Sequence, residues 1–121
     1  MRFFGKTVHE MRLADRPFDL IKSGKKTIEV RLNDEKRRQI SVGDMILFCR
    51  KSGMSEVCAV NVVGLRRYKN FLELFSAESL AGAGFEDMTA AQAAQSMYQY
   101  YTAEQEIGSG VLAIEIQLAE E

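Results

Sequence analysis

Apolar and polar positions change period several times along the chain, and each change marks an element. Residues 7–13 alternate weakly and predict a first strand. Asp15 then reads as a helix N-cap. Pro17 falls in the first turn, where its missing N–H does no harm, and Phe18, Ile21 and the stem of Lys22 form a stripe that Gly24 ends. From Thr27 the period becomes two, with Ile28, Val30 and Leu32 on one face and Thr27, Glu29 and Arg31 on the other, the pattern of a half-buried strand. A charged loop follows at 33–39, and Val42-Gly43-Asp44 turns into an apolar run from Met45 to Phe48. Ser52-Gly53 leads to a third run, Val57 to Leu65, and the pair reads as a hairpin. Phe71, Leu72, Leu74, Phe75 and Leu80 predict a helix over 70–81, and Thr89 with Gln92 is a capping-box signature for a helix running to about Tyr101. Gly110 to Leu118 alternates again as a closing strand. The order of strand, helix, three strands, two helices, strand has no βαβ alternation, so an α+β fold built on a small mixed barrel with attached helices is expected.

Length and composition place this pattern in one domain, residues 1–121, with enough apolar residues (46%) for a core. No apolar run approaches the roughly 18 residues of a membrane-spanning helix, and the early charges at the N-terminus do not suit a signal peptide. Cys49 and Cys58 make neither a disulfide scaffold nor a four-ligand metal site, so a reduced, cytoplasmic protein without metal or cofactor is expected. Charge changes the picture more. The net charge is −1, yet all 16 basic residues lie between Arg2 and Lys69 against 8 acidic ones, whereas residues 70–121 hold 9 acidic side chains and no lysine or arginine. Either the basic half meets a polyanion or the two halves neutralise each other across the fold.

Residues 22–38 concentrate the candidate chemistry, with seven basic side chains against Glu29, Asp34 and Glu35. Such a segment either follows a phosphate backbone or is a solvated loop. Glu29 and Arg31, two apart on a strand, share a face. In a cleft the carboxylate accepts from an exocyclic amine while the guanidinium holds a phosphate or carbonyl; the alternative is that the two simply pair. Lys26 has the parity of the buried face and reaches the same site only from a turn before the strand. His9 lacks a partner at metal or triad spacing and reads as structural or surface, and the cysteines read as small hydrophobes. Tyr98, Tyr100 and Tyr101 offer either a stacking face for a base or packing against the barrel.

Gly24-Lys25-Lys26-Thr27-Ile28-Glu29-Val30-Arg31 matches G-x-K-x-x-E-x-R, the signature of the ASCH domain, and the context agrees. A short helix precedes it, Val42-Gly43-Asp44 opens the next strand, and Tyr100-Tyr101 comes before Gly110-Val111-Leu112-Ala113-Ile114. The chain thus resembles this family over nearly its whole length. The resemblance implies a PUA-like fold, a mixed β-barrel with flanking helices, and binding of RNA or a modified nucleoside or nucleotide. We expect the ligand in a cleft lined by Lys26, Glu29 and Arg31, with Lys25 among the binding residues and Lys36, Arg37 and Arg38 extending the contact along phosphates. Replacing Arg31 or Lys26 by Ala is expected to abolish binding with little change in melting temperature. The chain also resembles a branch that hydrolyses N4-acetylcytidine with a lysine, a threonine and a glutamate. The lysine matches Lys26 and the glutamate Glu86, but Glu29 stands where that branch has its threonine nucleophile. An amidohydrolase here would use Glu29 as general base on water, Lys26 for the oxyanion and Glu86 for orientation. An RNA-cleaving enzyme and a small interaction module are the remaining alternatives, and the oligomeric state is left open.

Overall fold

In the computed structural model, which describes residues 2–3, 5–53 and 56–119, one curled sheet carries the helices. Its strands are β1 (Arg2–Phe3), β2 (Lys6–Leu13), β3 (Ile28–Leu32), β4 (Met45–Arg50), β5 (Val57–Tyr68) and β6 (Val111–Leu118), in the spatial order β1-β2-β4-β5-β6-β3. The helices are α1 (Asp15–Lys22), α2 (Phe71–Ala77), α3 (Ala90–Ser96) and α4 (Ala103–Ser109). β2 and β4 are parallel and the other pairings antiparallel, so the sheet is mixed, as expected. It curls as a half-barrel: β2 and β3 lie at its two sides without a backbone ladder between them, and the seam there is where the site forms.

Both faces of the sheet are covered. One apolar cluster holds Phe18 and Ile21 of α1 against Ile46, Phe48, Val60, Leu112 and Ile114. The other holds Ile28, Val30 and Leu32 against Phe71, Leu74 and Phe75 of α2, with Ala93 of α3 and Val111. Burying such side chains supplies the bulk of the folding drive, about 1.5–3 kcal/mol for each large one. β6 sits between β5 and β3 and is buried on both faces, which explains its continuous apolar run. β3 was expected to be half-buried, but Glu29 on its polar face is only 5% exposed, because the curl turns that face onto the cavity floor.

Several boundaries differ from the sequence reading. Asp15 is not the N-cap of α1: Ala14 holds that position without a side-chain cap, and the Asp15 carboxylate is taken by Arg50 and Ser52. The helix over 70–81 ends at Ala77, with Asn70 as its cap and Leu80 packing from the turn that follows. The helix expected to reach Tyr101 ends at Ser96 and tightens into a 3-10 turn, Met97–Gln99. A second capping box, Thr102 with Gln105, then starts α4, which the sequence reading missed. Glu106 of α4 is buried and accepts hydrogen bonds from the Phe71 amide (2.8 Å) and the Tyr98 hydroxyl (2.6 Å), locking α4 to the start of α2. The capping box at Thr89 and Gln92 is formed as expected.

Candidate nucleic-acid site

Gly24 adopts φ +83°, a conformation that suits glycine, and ends α1 so that the chain doubles back toward β3. Lys26 lies in this turn, before the strand, and so escapes the parity of the buried face. Its amide donates to the Leu20 carbonyl (2.9 Å), and the Thr27 and Ile28 amides both donate to the Gly82 carbonyl. The Lys26 ammonium, buried, donates to the Ala83 carbonyl (2.8 Å) and lies 3.3 Å from Glu29 Oε1. Gly84, at φ +89°, takes a backbone conformation that suits glycine and lies against the lysine stem. The loop after α2, in the acidic half of the sequence, thus holds the lysine of the basic half.

Arg31 completes a triad. Its Nε donates to Glu29 Oε2 (2.7 Å) and its Nη2 to the Arg12 carbonyl on β2 (3.0 Å), so a side chain from β3 bridges the open seam. The pairing of Glu29 with Arg31 that the spacing allowed is therefore formed, and it is formed inside a cleft. Burial pushes the Glu29 carboxyl up, but Lys26 and Arg31 outweigh it and hold it below its ordinary value. Burial lowers Lys26, and the Arg31 charge adds to that effect, while Glu29 only partly restores it. Burial alone disfavours the Arg31 charge; Glu29 more than compensates.

These three residues line a cavity of about 670 Å³ at the seam. Arg12 and Leu13 of β2, Arg16 and Leu20 of α1, and Lys51 after β4 form one side. Ala83 to Phe85 and Met97 with Gln99, Tyr100 and Tyr101 form the other. The charged lining comprises five cations (Arg12, Arg16, Lys26, Arg31, Lys51) and one carboxylate, Glu29. No acidic residue of the second half lines it, so the two halves do not neutralise each other here. They do so elsewhere: Arg66 pairs with Glu78 (2.6 Å) and Glu115 (2.8 Å), and the Tyr68 hydroxyl also donates to Glu78.

The tyrosines divide between the two roles the sequence left open. Tyr101 stacks on Phe71, with ring centroids 5.8 Å apart, and Tyr98 meets Phe71 edge-on. Tyr100 remains 61% exposed at the lip of the cavity. Other expected contributors lie outside the lining: Lys25, Lys36 and Arg38 are exposed, Arg37 pairs with Asp34 (3.2 Å), and Arg38 donates to the Asn33 carbonyl (2.8 Å). Glu86 is exposed and follows the lining residue Phe85 without joining the lining itself. Arg12, Arg16 and Lys51 were missed, because they are scattered in sequence and only the β2–β4 ladder and α1 assemble them. The expectation that Lys26→Ala or Arg31→Ala leaves the melting temperature nearly unchanged does not suit this geometry, since either change leaves Glu29 buried with half of its compensation removed. His9 pairs with Asp44 (2.8 Å) between β2 and the start of β4, away from the cavity lining. Among the described residues no group of three histidine, cysteine or acidic side chains is placed to hold a metal ion, and no helix is long and apolar enough to cross a membrane.

The ASCH domain model matches residues 11–120. The chain belongs to the ASCH domain family. Two solved structures are similar to this ASCH chain over their full length. The crystal structure of the hypothetical protein PH0355 shares 38% identity at a TM-score of 0.83 and covers 93% of this chain and 100% of its own. The solution structure of PF0455 from Pyrococcus furiosus shares 35% at a TM-score of 0.72 and covers 95% and 100%. An ASCH domain from Lactobacillus crispatus, 16% identical with a TM-score of 0.64 over 93% of this chain and 79% of its own, shares the fold. No curated protein sequence matches the chain. The architecture is accordingly α+β and PUA-like, its barrel open along the seam that carries the ASCH motif.

Proposed function

We propose that this ASCH domain binds RNA or a nucleotide in the seam cavity, with Lys26 and Arg31 supplying hydrogen-bond donors and positive charge, and Glu29 fixing both. ASCH domains are regarded as RNA-binding modules, and the observation that carries the reading here is the cavity lining: five cations, one carboxylate and an exposed tyrosine at the lip. Sites for single-stranded nucleic acid combine these two features, cations for phosphates and an aromatic face for a base. Glu29 acts in this reading as a positioning residue, because both of its oxygens are engaged by Lys26 and Arg31. Among the described residues Arg31 Nη1 has no partner, which leaves it for the ligand.

The geometry favours binding over hydrolysis of N4-acetylcytidine. A carboxylate held below its ordinary pKa by two cations is a weak base at neutral pH, and Glu86 lies outside the cavity lining. Incubation with N4-acetylcytidine is expected to release no cytidine at high protein concentration; turnover establishes the hydrolase in its place. The binding reading is tested by fluorescence anisotropy with a labelled single-stranded RNA roughly a dozen nucleotides long. Wild-type protein is expected to bind, and Tyr100→Ala to weaken binding by about 1–3 kcal/mol with an unchanged melting temperature. Binding that is indifferent to Tyr100→Ala places the RNA elsewhere.

A further inference from the structure

Charge within the cavity is unevenly satisfied. On its floor, Lys26, Glu29 and Arg31 compensate one another. At the rim, Arg12 from β2, Arg16 from the first turn of α1 and Lys51 just after β4 carry exposed side chains, and among the described residues none makes an ion pair or a side-chain hydrogen bond. Their neighbours behave differently. Lys22 is held by Glu56 (2.5 Å), and Arg50 by Asp15, Asp19 and Glu56. Asp15, Asp19 and Glu56 are thus already committed to Lys22 and Arg50, and the carboxylates of residues 70–121 do not line the cavity.

The rim is also held by backbone. The Lys51 amide donates to the Leu13 carbonyl (2.9 Å), which fixes the start of the β4–β5 turn beside the end of β2. Arg12 lends its carbonyl to Arg31, so the chain that carries the rim also braces the floor. Three like charges on three separate elements, facing one cavity without internal counter-ions, repel each other in the free protein and are relieved by an anion. Their placement on three separate elements suits an anion with more than one charged group over a point charge.

We propose that Arg12, Arg16 and Lys51 form a phosphate-binding rim. The cavity then takes a nucleotide within an RNA strand whose flanking phosphates lie across β2 and the start of α1. An uncharged nucleoside does not engage this rim, and the strand does not run over the loop at 33–39. This inference rests on the cavity being the RNA site, so its test separates the two claims.

The first arm is the salt dependence of binding to the same labelled single-stranded RNA. Each phosphate contact on a single strand contributes about 0.7 to the slope of log affinity against log salt. Arg12→Ala, Arg16→Ala and Lys51→Ala each lower the slope by about that amount, the triple variant lowers it by about 2, and Lys36→Ala with Arg38→Ala leaves it unchanged. All three rim side chains are exposed and unpaired among the described residues, so none of the variants melts below the wild type. The second arm is a titration with inorganic pyrophosphate followed by amide resonances. Those of Arg12, Arg16 and Lys51 move saturably in the wild type and stay fixed in the triple variant. If RNA binds with an unaltered slope in every rim variant and pyrophosphate moves none of these amides, the rim is refuted while the RNA site stands. If pyrophosphate moves them as described but no RNA binds, the rim stands and the RNA reading falls.

Discussion

Glu29 shows how one side chain's environment decides its role. The strand pattern placed it beside Arg31 on the polar face of β3, which was correct, and left open whether the pair was a surface salt bridge or part of a site. Burial decides: an exposed pair contributes about 0–1 kcal/mol, whereas breaking a buried one by removing a partner costs about 3–5 kcal/mol. Lys26→Ala or Glu29→Ala is therefore expected to lower unfolding free energy by that amount in chemical denaturation. The pH dependence follows from the direction of each shift. Glu29 in the folded protein lies below its ordinary value of 4.5, so its contribution is complete above that pH and is lost as pH falls through the folded value. The gap in melting temperature between wild type and Glu29→Gln is accordingly widest near neutrality and narrows below pH 4.5. A gap independent of pH contradicts the buried charged triad. Lys26 works in the opposite sense: its lowered value makes the ionised form a cost at neutral pH, relieved as pH rises toward 10.5.

Elements were legible where local pattern and tertiary need coincide. β3, the β4–β5 hairpin, β6 and the capping box at Thr89 all follow from periodicity or a cap that the tertiary structure keeps. α4 was missed although Thr102 and Gln105 carry the same signature as Thr89 and Gln92, because its seven residues bury only Glu106 and so lack an apolar stripe. What docks α4 is polar: Glu106 takes the first amide of α2 and the Tyr98 hydroxyl. Glu106→Ala leaves both donors without their acceptor, and is expected to cost about 1–3 kcal/mol in denaturant titrations. Thr102→Ala removes only the exposed cap and is expected to cost about 1 kcal/mol. A Glu106→Ala cost no larger than that of Thr102→Ala contradicts the polar docking of α4.

For the whole molecule, the charge division along the sequence proves to be a spatial fact at one place and not at another. Arg66, Glu78 and Glu115 neutralise one another across the two halves, while the seam cavity collects five cations around one carboxylate and recruits only uncharged residues from the acidic half. The motif made Lys26, Glu29 and Arg31 visible in the sequence. Nothing local distinguished Arg12, Arg16 and Lys51 from solubilising surface charge, because their meaning depends on β2 pairing in parallel with β4 and on α1 folding back beside them. Conversely, the dense run at Lys36, Arg37 and Arg38 was conspicuous in sequence, yet it forms a loop partly tied to Asp34 and Asn33 outside the cavity lining.

The seam cavity as the RNA site is tested most directly by photo-crosslinking a 4-thiouridine-substituted single-stranded RNA to the protein and mapping the modified peptides by mass spectrometry. The account predicts crosslinks on the cavity lining, at Tyr100 and Tyr101 and at the Ala83 to Phe85 loop. Crosslinks confined to the loop at 33–39 or to α4, or no crosslink at all, contradict it.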